Sequence, residues 1–228
     1  MLVFMIELYH GSSNIIEKPS FGLGNPRNDY GLGFYCTKEI ELAKEWACST
    51  QNDGFANRYS FNAEGLDVLD LSKRKYNILN WLAILLENRI FDIATSVARE
   101  AKDFIISRFI PEYKSKDVII GYRADDSYFS FAKAFINNAI PLSSLEKAMK
   151  LGKLGIQTCI RSEAAFSRLC FLEAIPANGE EYYIRRSTRD RKAREDYLKL
   201  LEQDNIKDAK YVIDIIRQDW RNDDERLQ

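Results

Sequence analysis

Leu2-Val3-Phe4-Met5-Ile6-Glu7-Leu8-Tyr9, followed by His10-Gly11-Ser12-Ser13-Asn14, is the stretch on which the fold turns. An apolar run of this length that stops at Gly, Ser and Asn predicts a buried strand over 2–9 leading into a functional loop. Its counterpart is Gly31-Leu32-Gly33-Phe34-Tyr35-Cys36, a short strand, after which Thr37 is placed to cap a helix running to about Ser49. Glu39 and Glu41 fall in that helix's first turn, where negative charge is favoured. Between the two strands, Pro19 to Tyr30 carries Gly22, Gly24, Pro26, Asn28 and Asp29 and reads as a loop long enough to hold a function.

Working outward, Arg58–Phe61 and Leu66–Leu71 predict two more strands around the turn Ala63-Glu64-Gly65. From Ser72 the apolar spacing becomes helical, through Ile78, Leu82, Leu85 and Leu86 and then 91–109, ending at Pro111. This is a helical insertion over 72–112. Asp117-Val118-Ile119-Ile120-Gly121-Tyr122 predicts a central strand, followed by helices at 127–138 and 142–150, a strand at 156–160, a helix at 162–169 and a last strand at 170–175. The expected core domain ends near 178. The extension, 179–228, is charge-dense and mostly helical, with Arg185, Arg186, Arg189, Arg191, Lys192 and Arg194 at its start. It reads as a solvated helix face or as a surface for a partner or nucleic acid.

Of 228 residues, 46% are hydrophobic and 29% charged, which excludes disordered and collagen-like classes. Lys+Arg number 33 against 34 Asp+Glu, so no global field draws the chain to nucleic acid or anionic lipid. His10 is the only histidine, and no two-histidine metal site or histidine acid–base pair can form. We expect no metal. Cys36, Cys48, Cys159 and Cys170 contain no Cys-x-x-Cys pair and read as reduced thiols. The N-terminus lacks a signal-peptide pattern, and no apolar run approaches the roughly 20 residues of a membrane span. A cytoplasmic protein without membrane contact is expected.

Standard motifs are missing. Gly22-Leu23-Gly24 does not continue into a dinucleotide fingerprint, and there is no Walker A, His-Glu-x-x-His or Gly-x-Ser-x-Gly. What remains is His10 at a strand end with Gly11 and Ser12 after it, Tyr35 on a second strand, and Trp46 eleven residues later. The two aromatics either face one another across a slot for a flat ring or are ordinary core residues.

The runs Leu8-Tyr9-His10-Gly11-Ser12, Asp29-Tyr30-Gly31-Leu32-Gly33-Phe34-Tyr35-Cys36-Thr37 and Ala43-Lys44-Glu45-Trp46-Ala47 resemble a bacterial family of ADP-ribosyltransferase-like proteins, commonly encoded beside a small antitoxin. The wider clan holds diphtheria toxin and the poly(ADP-ribose) polymerases. The resemblance extends through Asp117–Asp126 and Gly155-Ile156-Gln157 to Phe171-Leu172-Glu173. It implies an α+β fold of two packed sheets, NAD as co-substrate, a small antitoxin as partner, and a protein or nucleic acid as ADP-ribose acceptor. It gives Gly11, with Ser12 beside it, backbone bonds to the nicotinamide carboxamide, Tyr35 and Trp46 the faces of its ring, and His10 a bond to the adenosine ribose. Arg27, in the covering loop, is the candidate for the pyrophosphate, because a guanidinium pairs well with phosphate oxygens.

At the third signature position the clan has glutamate and this chain has Gln157. A carboxylate about 4 Å from a developing ribosyl cation, at an effective dielectric near 20, is worth roughly 4 kcal/mol, on the order of a thousandfold in rate. Gln157 keeps the hydrogen bond without the charge, and Asp125, Asp126 or Glu163 are candidates to supply it. With His10, Tyr35 and Gln157 as catalytic residues, the expected activity is mono-ADP-ribosyl transfer by the toxin of a toxin–antitoxin pair. The alternatives are a catalytically impaired NAD- or ADP-ribose-binding module acting through protein contacts, and an NAD glycohydrolase.

Overall fold

The computed structural model describes residues 5–50, 52–93, 95–124, 126–151, 155–203 and 209–227. In chain order the elements are β1 (Met5–Ser12), β2 (Phe34–Thr37), α1 (Ile40–Ala47), β3 (Gly54–Asn62), β4 (Val68–Asp70), α2 (Ile78–Asn88), α3 (Ser96–Phe109) and β5 (Val118–Tyr122). They continue with α4 (Asp126–Ile136), α5 (Leu142–Ala148), β6 (Ile156–Ile160), α6 (Glu163–Phe166), β7 (Leu169–Ala177), α7 (Gly179–Gln203), α8 (Val212–Arg217) and a short 3₁₀ turn, Glu225–Leu227. The fold is α+β.

The strands hydrogen-bond into one seven-stranded sheet of order β4-β5-β6-β2-β1-β3-β7. Two separate packed sheets, as the resemblance implied, are therefore not formed. The reason lies at one junction, where β1 and β2 meet through the single pair Tyr9↔Thr37. A four-strand half and a three-strand half are tied there and part beyond it. All the pairings are antiparallel except β4 with β5, which is parallel.

The split has a local cause. Sequence predicts that β1 stops at Tyr9, yet it runs on because His10, Gly11 and Ser12 pair with Asn57, Ala56 and Phe55 of the nine-residue β3. A long partner strand overrides the breaker character of Gly-Ser. On its other side β1 is covered by α1: a Cβ on Gly11 would meet the Ala43 carbonyl oxygen at 2.0 Å. The expected start at Leu2 lies outside the described residues. Thr37 does not cap α1; Glu39 does, without a side-chain bond, while Thr37 Oγ1 accepts the Glu39 N–H at 3.1 Å.

The period-2 alternation of strands assigns the two faces. Val118 and Ile160 turn into a small cluster with Leu8, Phe34 and Tyr59, and their neighbours Ile119 and Cys159 turn into the main core. The stretch expected as a helical insertion is the centre of that main core, since every residue of α2 from Ile78 to Leu86 is buried. A helix buried on every side must be enclosed; α3, α4, α5 and the tail share its core cluster, and its buried Asn80 donates to the Phe109 carbonyl at 2.7 Å. Val212, Ile215 and Trp220 of the C-terminal extension lie in this same cluster. The charged face of α7 meets α1 through Arg185–Glu41 and Arg189–Glu45. Among the described residues no helix is long and apolar enough to cross a membrane.

Candidate functional site

The opening between the sheet halves is a cavity of about 590 Å³. Such a volume suits a small organic ligand. Its wall brings together His10 and Gly11 from β1, Tyr35 from β2, Trp46 from α1 and Gln157 from β6. Thus five of the seven residues singled out in the sequence converge. Ser12 and Arg27 are not part of the lining. Ser12 ends β1 and accepts the Asn14 N–H at 3.2 Å, while Arg27 is exposed on the loop. The cavity's cations are instead Lys18, Arg89 and Arg123. The loop expected to cover a bound nucleotide contributes Pro19, Ser20, Leu23, Gly24, Asn28 and Asp29 to the cavity wall.

His10 Nδ1 lies 2.7 Å from the Tyr35 carbonyl, and its ring stacks on Phe34 with centroids 4.1 Å apart. A carbonyl only accepts, so Nδ1 carries the proton and Nε2 is left as an acceptor. Burial pushes the imidazole pKa below its usual value, and the Tyr35 carbonyl opposes this. A neutral ring able to accept from a hydroxyl results.

This makes a measurable prediction. The unfolded chain takes up a proton near pH 6.5 and the folded one does not, so stability falls as pH drops from 6.5 toward the depressed folded pKa. The slope is at most about 1.4 kcal/mol per pH unit. His10 being the sole histidine, urea unfolding at pH 7.5 and 5.5 should show an acid loss that His10→Gln abolishes. Equal pH dependence of both proteins would mean that His10 is readily protonated in the fold.

Tyr35 is fixed by its own loop. Its hydroxyl donates to the Gly31 carbonyl at 2.6 Å and accepts the Tyr30 N–H at 3.1 Å, and the two tyrosine rings are near parallel. Gly31 adopts φ 78°, a left-handed conformation that glycine takes without strain. Burial raises the Tyr35 pKa far beyond the usual phenol range, so the hydroxyl remains a donor. The Trp46 ring does not stack with Tyr35 among the described ring contacts; the Arg123 guanidinium covers it, 4.1 Å from the centroid. Trp46 Nε1 is buried without a hydrogen-bond partner among the described residues. A buried donor in a cavity wall is a place for a ligand acceptor.

Gln157 is 3% exposed and spends its amide protons on Asp29 Oδ2 at 2.8 Å and the Tyr122 carbonyl at 3.2 Å. Oε1 is what it can offer a ligand. Asp29 is the residue that sequence reasoning missed. It lines the cavity, and besides Gln157 it accepts the Ala124 N–H at 2.8 Å and Arg89 Nη1 at 3.1 Å. Burial raises its pKa, against the Ala124 N–H, Arg89, Gln157 and Arg123, which all favour the anion. Of the acids proposed for this charge, Glu163 is exposed at the start of α6 and absent from the lining. Asp125 and the Asp126 side chain lie outside the described residues. The signal for Asp29 was its position directly before Tyr30-Gly31, and that for Arg123 its position directly after β5. Arg89 had none.

Fold and site together define an α+β protein with a cationic, ligand-sized cavity at a fork in its sheet. The chain belongs to the family described as Protein of unknown function (DUF3990), which matches residues 6–171 and so takes in every residue of that cavity. No curated protein and no solved structure matches it. Among the described residues no group of acids, cysteines or histidine is arranged to hold a metal.

Proposed function

We propose that the cavity binds NAD and that the protein transfers ADP-ribose to a macromolecule, as a cytoplasmic toxin restrained by a small partner protein. The observation that carries this reading is the convergence of His10, Gly11, Tyr35, Trp46 and Gln157 on one cavity. The residues present fit such a ligand. Arg89 and Arg123 supply charge for a pyrophosphate in place of Arg27, Trp46 Nε1 has no acceptor of its own, and the Gly11 and Ser12 backbone has no strand partner on the β2 side. NAD supplies a labile bond between ribose and nicotinamide. His10 Nε2 accepts from a ribose hydroxyl, Gln157 Oε1 orients another, and Asp29 supplies the negative charge that Gln157 lacks. Asp29 lies one hydrogen bond behind Gln157, so it offsets less than the roughly 4 kcal/mol of an anion at about 4 Å, reduced further by the share that Arg89 neutralises.

Calorimetric titration with NAD, read alongside tryptophan fluorescence, tests the site. Trp46→Phe retains the ring and loses the N–H, and should weaken binding roughly tenfold and abolish the fluorescence response. Trp81 and Trp220 are buried in the core, so they remain in place as a constant background. Heat and fluorescence both unchanged on adding NAD would remove the nucleotide reading. Labelled NAD incubated with lysate then separates the activities: label in macromolecule supports transfer, whereas free nicotinamide alone supports glycohydrolysis.

A further inference from the structure

A second cavity, of about 640 Å³, lies on the far side of the segment that carries Arg123. Its wall holds Lys73, Arg74 and Lys75 from the turn between β4 and α2, Lys150 just after α5, and the rings of Tyr76 and Trp81. None of these four cations forms an ion pair with another described residue, although much of the charge on α7 is paired. Lys75 only sits over the Tyr76 ring, 4.9 Å from its centroid. The turn also leads into the N-terminus of the 11-residue α2, whose first turn holds no acid to neutralise the helix dipole. Two carboxyls, Glu146 and Asp223, share the wall, leaving cations in excess by two. In a chain of net charge −1 this is a local anion site.

We propose that this cavity docks the phosphodiester backbone of a single-stranded nucleic acid, the acceptor for the transfer described above. The docking stands on this cavity alone, and the acceptor role rests on the NAD reading. Cations in excess of the carboxyls, with Lys150 facing Glu146 and Lys75 over the half-buried Tyr76 ring, suit phosphates alternating with bases beside that ring. An acidic peptide would satisfy the charge but leave the ring unused, and the cavity is too small for a duplex. The two cavities lie on either side of the segment Tyr122–Ala124. Tyr122 lines this cavity, Arg123 and Ala124 line the first, and the Tyr122 carbonyl accepts from both Trp81 Nε1 at 3.0 Å and Gln157 Nε2 at 3.2 Å. A docked strand therefore lies one peptide segment from Gln157. In the transfer, a nucleophilic oxygen or nitrogen of the strand bonds to ribose C1′ while the bond from C1′ to the nicotinamide nitrogen breaks. Its electron pair leaves with nicotinamide, and the acceptor's proton goes to solvent.

The test is fluorescence anisotropy of the full chain with a labelled 12-nucleotide single-stranded RNA, and with DNA of the same sequence, without NAD. Four phosphate contacts give a log–log salt slope near −3, about 50-fold weaker binding between 50 and 200 mM salt. Substituting Lys73, Arg74 and Lys75 together by Ala should flatten the slope below −1 and weaken binding at least tenfold at 50 mM. These side chains are exposed, so melting and the NAD-induced Trp46 fluorescence change should be preserved. The arm that binds tighter identifies the strand. Absence of binding by both arms, unaltered binding by the triple variant, or equal displacement by polyglutamate of matched charge would overturn the docking site. Docking that persists in a protein that binds no NAD would sustain this site and remove the transfer reading.

Discussion

Gly11→Ala is expected to lower folding stability by about 3 kcal/mol and the melting temperature by roughly 6–12 °C. The added methyl would sit 2.0 Å from the Ala43 carbonyl oxygen and 2.8 Å from both Ala47 N and Trp46 Cβ. These are backbone or near-backbone atoms of a helix and cannot rotate away. Either β1 shifts, breaking its register with β3, or α1 moves outward and carries Trp46 off the cavity wall. The second route predicts weakened NAD binding even in the fraction that remains folded. Ser12→Ala, on the next residue of the same strand, should stay within about 1 kcal/mol, since it loses only the bond to Asn14. A Gly11→Ala protein that melts within 2 °C of the parent would show that α1 does not lie against β1 as described.

The same geometry shows what the sequence could and could not convey. Period and composition mark β5 and β6 almost to the residue, because both are flanked by strands and their β-branched residues enter the core from either face. They misplace the end of β1, where a glycine that reads as a breaker is in fact the residue that lets a helix close onto a strand. They also make an insertion of α2, since a mostly apolar helix looks alike wherever it is enclosed. At the site, His10, Gly11, Tyr35, Trp46 and Gln157 were legible because their local patterns travel with them. Asp29 and Arg89 were not, since their bond joins a loop to a helix end sixty residues away. Arg27 illustrates the converse. It lies two residues from Asp29, yet it faces solvent while Asp29 is 4% exposed.

Gln157→Glu, which would be a gain of function under the proposed ADP-ribosyl transfer, is expected to do the opposite. Gln157 Nε2 donates to Asp29 Oδ2 at 2.8 Å, so a glutamate there sets two carboxylates in contact within a buried site. At an effective dielectric near 20 their repulsion reaches about 6 kcal/mol, enough that one acid stays protonated at neutral pH. Holding that proton at pH 7 costs on the order of 3 kcal/mol. In the folded state the pair binds a proton that the unfolded chain has released above about pH 4.5, so the variant's deficit shrinks as pH falls toward 5. Exchanging the groups should relieve the clash. Asp29→Asn with Gln157→Glu puts an amide opposite a carboxylate again and should recover part of the loss at pH 7, but not all of it: as with Asp29→Asn alone, Arg89 and the Ala124 N–H lose the Asp29 anion, and a carboxylate at 157 cannot donate to the Tyr122 carbonyl. Thermal melts of the four proteins at pH 7 and pH 5 form a double-mutant cycle. A coupling near zero would mean that Asp29 and Gln157 do not share a hydrogen bond. If the cycle shows strong coupling while NAD turnover tracks only the single Asp29→Asn change, the charge that the reaction uses is the one on Asp29.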